Sequence, residues 1–141
     1  MYRGNSFEIF NKVIKMSKEY TLENLLDFGE DGKKLIPVAI QDRKTKNVLF
    51  IGFSDRKSYE MTERKRFVVL FSRSQNKYWM KGETSRDLLK VIEKRVNCKQ
   101  NYLLYIVEML GKGACHAKDK EGNAYKTCYY RKIKGDELEF I

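Results

Sequence analysis

Cys98, Cys115, Cys128 and His116 are the residues of this chain best suited to metal or bond-breaking chemistry. No two of the cysteines stand at Cys-x-x-Cys spacing, which disfavours a closed structural zinc knuckle. Three thiolates are one ligand short of a closed tetrahedral site. That count suits a catalytic zinc, which keeps its fourth position for water. By spacing alone, three unrelated thiols are the simpler account, and an odd number argues against a closed disulfide framework. His116 directly follows Cys115, and neighbours in extended backbone point to opposite faces. It is therefore expected beside such a metal, not on it, where a near-neutral pKa suits a general acid or base. A surface histidine in a loop is the plainer alternative.

A second group lies between residues 71 and 85. Ser72, Arg73 and Ser74 offer hydroxyl and guanidinium donors to phosphate oxygens. Lys81, Thr84 and Ser85 do the same, and Gly82 allows close backbone approach. The glycine and lysine spacing is not that of a P-loop. The competing readings are a turn for Ser-Arg-Ser and a helix cap for Thr84 and Ser85. Tyr78 and Trp79 could stack on a base or pack in the core.

The elements that must position these residues follow from the periodicity. Residues 1–34 read as a helical lead-in, with Phe7, Phe10, Val13 and Ile14 at helical spacing, a second short helix from Thr21 and a turn over 27–32. Residues 35–41 and 48–53 alternate as strands around a polar turn, which predicts a hairpin. Pro37 stands near the start, where an edge or first strand tolerates it. Ser54 is the expected cap of a polar helix over 55–64 with Tyr59 facing inward. Strands are expected over 67–71, 78–80, 87–96 and 102–108, a loop over 110–127, a last strand over 127–133 and a tail over 134–141. The fold class is α+β, a single domain of antiparallel hairpins with a few short helices.

The length of 141 residues suits one domain. Hydrophobic residues make up 42% and charged residues 34%, an ordinary balance for a soluble protein. No apolar run reaches membrane-spanning length, and the N-terminus has no secretory h-region, so a cytoplasmic location without a membrane partner is expected. The net charge of +10 implies an anionic partner, which a phosphorylated metabolite, a nucleic acid or an anionic surface would equally satisfy.

The order of these motifs resembles the phosphoribosyl-AMP cyclohydrolase family of histidine biosynthesis. The resemblance runs from about residue 35 to 131. It is carried by Leu-Ile-Pro-Val-Ala-Ile-Gln-Asp at 35–42, Ser-Arg-Ser at 72–74, Trp-Met-Lys-Gly-Glu-Thr-Ser at 79–85, the Cys98 turn, Ala-Cys-His at 114–116 and Thr-Cys-Tyr-Tyr-Arg at 127–131. It implies an intertwined homodimer with zinc at the subunit interface, bound by Cys98 of one chain and Cys115 and Cys128 of the other. It implies hydrolysis of the N1–C6 bond of the N1-phosphoribosyl adenine, with His116 assisting proton transfer. Ser72, Arg73, Ser74, Lys81, Glu83, Thr84, Ser85 and Arg131 would line the ligand site.

The sequence departs from the family at three places. Asn97, Lys99 and Asn101 stand where the family has aspartates that bind magnesium, so a magnesium site is not carried over. Arg86 and Asp87 replace a glycine and a histidine, and the segment between His116 and Cys128 is longer. The domain of the family type is therefore expected over 35–133, without a pyrophosphohydrolase domain beyond it. Two alternatives stand beside the family reaction: the same zinc chemistry on another purine-like nucleotide, or a non-enzymatic, zinc-stapled dimer binding nucleic acid. No RNA-binding signature is visible, which puts nucleic acid last.

Overall fold

The computed structural model describes residues 26–141. The helix expected around Phe7 to Ile14 and most of the one from Thr21 lie outside these residues. Residues 26–34 are irregular, with a turn that carries Gly29 and Gly32 at positive φ, as the sequence suggests.

Strands β1 (Ile36–Asp42) and β2 (Val48–Ser54) form the predicted antiparallel hairpin. In β1 buried positions alternate with half-buried ones, so Ile36, Val38 and Ile40 point into the core as the two-residue period requires. Asp42 closes the connecting turn by accepting from the Thr45 amide and hydroxyl at 2.8 and 2.7 Å. Helix α1 (Arg56–Lys65) is capped by Asp55, not by Ser54. The Asp55 carboxylate accepts from the Ser58 amide at 2.9 Å, while the Ser58 hydroxyl accepts from the Asp55 amide at 3.0 Å. This reciprocal box satisfies two amides the helix would otherwise leave unpaired. Ser54 is buried instead and shares a hydrogen bond with the Ser58 hydroxyl.

Beyond α1, β3 (Val69–Ser72) and β4 (Lys77–Met80) make a second hairpin. Thr62 ties the helix to it, since its Oγ1 accepts from the Val69 amide and its one proton is within reach of both the Ser58 and the Val69 carbonyl. Leu70 packs on Gly52 of β2, where a Cβ would stand 2.5 Å from Leu70 Cδ1. Strands β5 (Leu89–Val96) and β6 (Leu103–Met109) follow, so the strand expected over 87–96 forms and begins at Leu89. The main sheet runs β2-β1-β6-β5. The β1 to β6 pairing is parallel, a departure from an all-antiparallel arrangement. Such a pairing joins segments far apart in sequence, and no local turn signal announces it.

Two expectations need correction near the C-terminus. Residues 127–130 are not strand, and the last expected strand begins at β7 (Arg131–Lys134). The supposed tail contains β8 (Glu137–Phe140), which pairs with β7 across a turn with Gly135 at φ 64°. One helix stands among the described residues, the one expected over 55–64; the other expected helices begin outside them.

Candidate active site

Cys115 and Cys128 come together from opposite ends of the 110–127 connection. Cys128 is held against the edge strand β2. Its amide donates to the Leu49 carbonyl at 2.7 Å, and the preceding Thr127 hydroxyl donates to the Val48 carbonyl at 2.7 Å. This docking, not a continuous ladder, is why 127–130 fails to form the expected strand. Cys115 is buried and within hydrogen-bond reach of Cys128. Burial, then the hydrogen bond to Cys115 and its charge, push the Cys128 thiol up to about 12, partly opposed by the Lys81 ammonium. Two adjoining thiols of this kind could hold a soft divalent cation, which would have to displace their protons.

Cys128 borders a cavity of about 340 Å3 that it lines with Phe50, Ile51, Trp79, Lys81, Ala114, His116 and Tyr129, while Cys115 is buried behind the wall. Cys115 faces inward while His116 is exposed and lines this cavity, the opposite orientation expected of extended neighbours. Lys81 is buried at 8% exposure. Among the described residues no carboxylate pairs with it. A buried ammonium without a counter-ion is costly, so an anionic ligand at this position would offset its desolvation.

Trp79 and Lys81 also line a second cavity of about 400 Å3, with Ser72, Gln75, Lys77, Met80, Gly82, Glu83, Thr84 and Ser85. The backbone after β4 builds this wall. The Lys81 amide donates to the Val68 carbonyl at 2.9 Å, and the Arg86 amide to the Gly82 carbonyl at 2.8 Å. Gly82 has φ 87°, and a Cβ there would lie 2.5 Å from the Asp87 carbonyl. Only glycine fits so tight a turn without strain. Thr84 and Ser85 therefore rim a cleft in a turn, and no helix begins there.

The remaining expected residues are dispersed. The Ser72 hydroxyl accepts from the Gln75 amide at 3.2 Å, so it also closes the hairpin turn. Arg73 stacks on Phe53, its guanidinium carbon 3.7 Å from the ring centroid, and shares a separate pocket with Ser74. Arg131 is exposed on β7, 4.8 Å from the Tyr130 ring centroid, and lines neither cavity. Gln75 and Lys77 line the cleft although the sequence reading passed over them. Lys77 and Trp79 stand two residues apart on β4, with Lys81 just beyond its end, and all three line the cleft, a spacing that could have found Lys77.

Cys98 is exposed and follows β5, whereas Cys128 hangs from β2. These are the two outer strands of the sheet, about 14 Å apart across three strand spacings. Among the described residues no group of three or more Cys, His, Asp or Glu is placed to hold one metal ion. The Cys98 turn is closed by its neighbours. Asn97 Oδ1 accepts from the amides of Asn101 and Tyr102 at 2.9 and 2.8 Å, and Asn97 Nδ2 donates to Asn101 Oδ1 at 2.7 Å.

A family model described as phosphoribosyl-AMP cyclohydrolase matches residues 50–130, which span the β2 edge, the cleft and all three cysteines. The chain belongs to the phosphoribosyl-AMP cyclohydrolase family. This is a family of hydrolases acting on a cyclic amidine bond. The phosphoribosyl-AMP cyclohydrolase of Archaeoglobus fulgidus is 43% identical over 113 residues, covering 80% of this chain and 96% of that protein. The one from Methanocorpusculum labreanum is 41% identical over 104 residues, 74% of this chain and 79% of that protein. The histidine biosynthesis bifunctional protein HisIE of Aquifex aeolicus is 37% identical over 114 residues, 81% of this chain. The chain spans about half of that bifunctional protein, 52% of its length. Among the described residues no helix is long and apolar enough to cross a membrane.

Proposed function

We propose that this cyclohydrolase-family member hydrolyses the N1–C6 bond of the adenine ring of phosphoribosyl-AMP. Zinc is held by Cys115 and Cys128 of one protomer and Cys98 of its partner in a homodimer. The observation that carries this reading is the adjoining Cys115 and Cys128 beside a cavity that shares Trp79 and Lys81 with the hydroxyl- and lysine-lined cleft. Two sulfur donors fit a soft cation, and a third from a second copy gives three ligands with one position open. Zinc so held supplies a water acidified towards neutrality.

The chain's own residues do the rest. Trp79 offers a face to the purine, and Lys77, Lys81, Thr84 and Ser85 offer donors to the phosphates, with Gly82 bringing the backbone close. As water oxygen bonds to C6, the C6–N1 bond breaks, C6 becomes a carboxamide carbon and N1 takes a proton. His116, on the wall of that cavity, accepts one water proton and returns it to N1, and the second water proton passes to the exocyclic imino nitrogen, which becomes the carboxamide NH2.

The Cys98 turn does not fit a magnesium ion. The oxygens of Asn97 and Asn101 are engaged in closing the turn, both amides are neutral, and Lys99 adds a positive charge. The proposed reaction uses no magnesium there. A different purine-like nucleotide is less favoured, because neither Arg86 nor Asp87 lines the two cavities. The Asp87 carboxylate instead accepts from the Lys112 amide at 3.1 Å. The test is incubation of zinc-loaded protein with phosphoribosyl-AMP, following the loss of the adenine chromophore with and without magnesium. Turnover independent of magnesium is expected; no turnover at full zinc occupancy would reject the reaction.

A further inference from the structure

The connection between Cys115 and Cys128 holds a device that the family reaction leaves unexplained. Its outer part is a small closed turn. The Asp119 amide donates to the Asn123 carbonyl at 2.8 Å, the Asp119 carboxylate accepts from the amides of Glu121 and Asn123, and Lys118 bridges Ala124. This turn delivers Tyr125 to a position between the two cysteine segments. The Tyr125 carbonyl accepts from the amides of both Ala114 and Cys115, at 3.1 and 3.0 Å, and its own amide donates to the Ala117 carbonyl at 3.1 Å. Gly113 passes so close that a Cβ would lie 2.6 Å from the Tyr125 oxygen. The ring faces the other way. It stacks on Tyr130, two residues beyond Cys128, with centroids 3.7 Å apart and planes 3° from parallel. Phe140 of β8 extends the stack, 6.5 Å from Tyr125 and 6.0 Å from Tyr130. The Ile141 amide fastens that strand end to the Tyr130 carbonyl at 3.1 Å.

We propose that Tyr125 is the positioning residue of the cysteine pair: its backbone grips the Cys115 segment and its ring grips the Cys128 segment, so one residue sets the spacing of the two sulfurs. The inference rests on the reading that Cys115 and Cys128 are metal ligands. Any residue could make the backbone contacts, whereas the stack requires an aromatic ring. The 117–127 connection is thus a clasp tied at both ends. Residues that orient metal ligands without touching the metal commonly change affinity by about 10–100-fold when removed.

The test titrates metal-free full-length protein with zinc against a competing chelator. Tyr125→Ala is expected to weaken zinc binding about 10-fold, and Tyr125→Phe, which keeps the stack, to restore wild-type affinity. A second readout needs no metal. In a Cys98→Ser background, phenylarsine oxide bridges Cys115 and Cys128 only if their sulfurs are correctly spaced, and Tyr125→Ala should slow that capture. Wild-type zinc affinity and wild-type arsenical capture in Tyr125→Ala would overturn the proposal, as would a Phe variant as weak as the Ala variant. Should Tyr125→Ala not fold, Phe140→Ala removes the outer ring, 66% exposed. It should shift both readouts the same way by a smaller factor, and no shift would overturn the proposal. If the wild-type protein binds no zinc, the proposed reaction fails while arsenical capture still decides the role of Tyr125.

Discussion

The two outer strands of the sheet carry cysteines in opposite conditions. At the β2 edge, Cys128 is pinned by backbone hydrogen bonds, backed by buried Cys115 and set beside a cavity with Lys81 and His116. At the β5 edge, Cys98 is exposed on a turn that satisfies itself through Asn97 and Asn101. One edge holds two adjoining sulfurs and a cavity; the other presents one sulfur to the outside. Exposed apolar side chains flank both places: Val48, Ile51 and Tyr129 near the first, Val96 and Tyr102 near the second. The contrast is the one the proposed zinc site requires: two sulfurs from one copy and the third from another.

The largest expected effect that sharpens this contrast is at Lys81. Lys81→Met removes a buried ammonium, without a carboxylate partner among the described residues, from both cavities while keeping the aliphatic stem. Steady-state kinetics should show kcat/KM lowered about 10–100-fold, the worth of a hydrogen bond to a charged group. Thermal unfolding should show stability unchanged or raised, since no ion pair among the described residues is lost. A fall in stability with unchanged kinetics would make Lys81 structural. At the other edge, Asn97→Ala removes the acceptor of two turn amides and should destabilise the fold by about 1–3 kcal/mol in denaturant titration. Its effect on catalysis should follow from misplacing Cys98, so zinc affinity should drop without altered reactivity of Cys115 and Cys128.

The smallest effect concerns pH and lies away from both cysteine edges. Burial, then the hydrogen bond to Asp55 and its charge, raise the Tyr78 hydroxyl to about 12 from an ordinary 10. The native state therefore holds this proton more tightly than the unfolded chain. That contribution is fully present below about pH 10 and is lost as pH rises towards 12. Tyr78→Phe should flatten the alkaline limb of the stability curve over that interval and leave zinc affinity unchanged. Buried Tyr105 is also raised and supplies the slope that persists.

How much of this was legible depended on whether the signal was local. The alternation of Ile36, Val38 and Ile40 fixes the face of β1, and Gly82 is legible as a place of close backbone approach, although the turn it makes is not. The cap missed by one residue, since Ser54 and Asp55 both carry capping oxygens and both are buried; only the Asp55 carboxylate meets the Ser58 amide. The parallel β1 to β6 pairing, the docking of Cys128 on β2 and the β7 to β8 hairpin depend on partners distant in sequence or on a turn hidden in a charged tail. Of the candidate residues, the cysteines and Lys81 stood out by type. Lys77 hid in a strand, and Arg73 and Arg131 carried suitable chemistry but point elsewhere.

The sharing of one zinc between two chains can be measured most directly by mixing inactive subunits. Cys98→Ser and Cys128→Ser proteins, each inactive alone, are unfolded, combined in equal amounts and refolded together. A two-fold dimer with sites built across the interface regains one intact site per mixed dimer, or about a quarter of wild-type activity and zinc content after statistical exchange. Recovery near that level is predicted. No recovery in dimers shown to have exchanged, or full activity in a single-chain Cys98→Ser protein, would contradict the account.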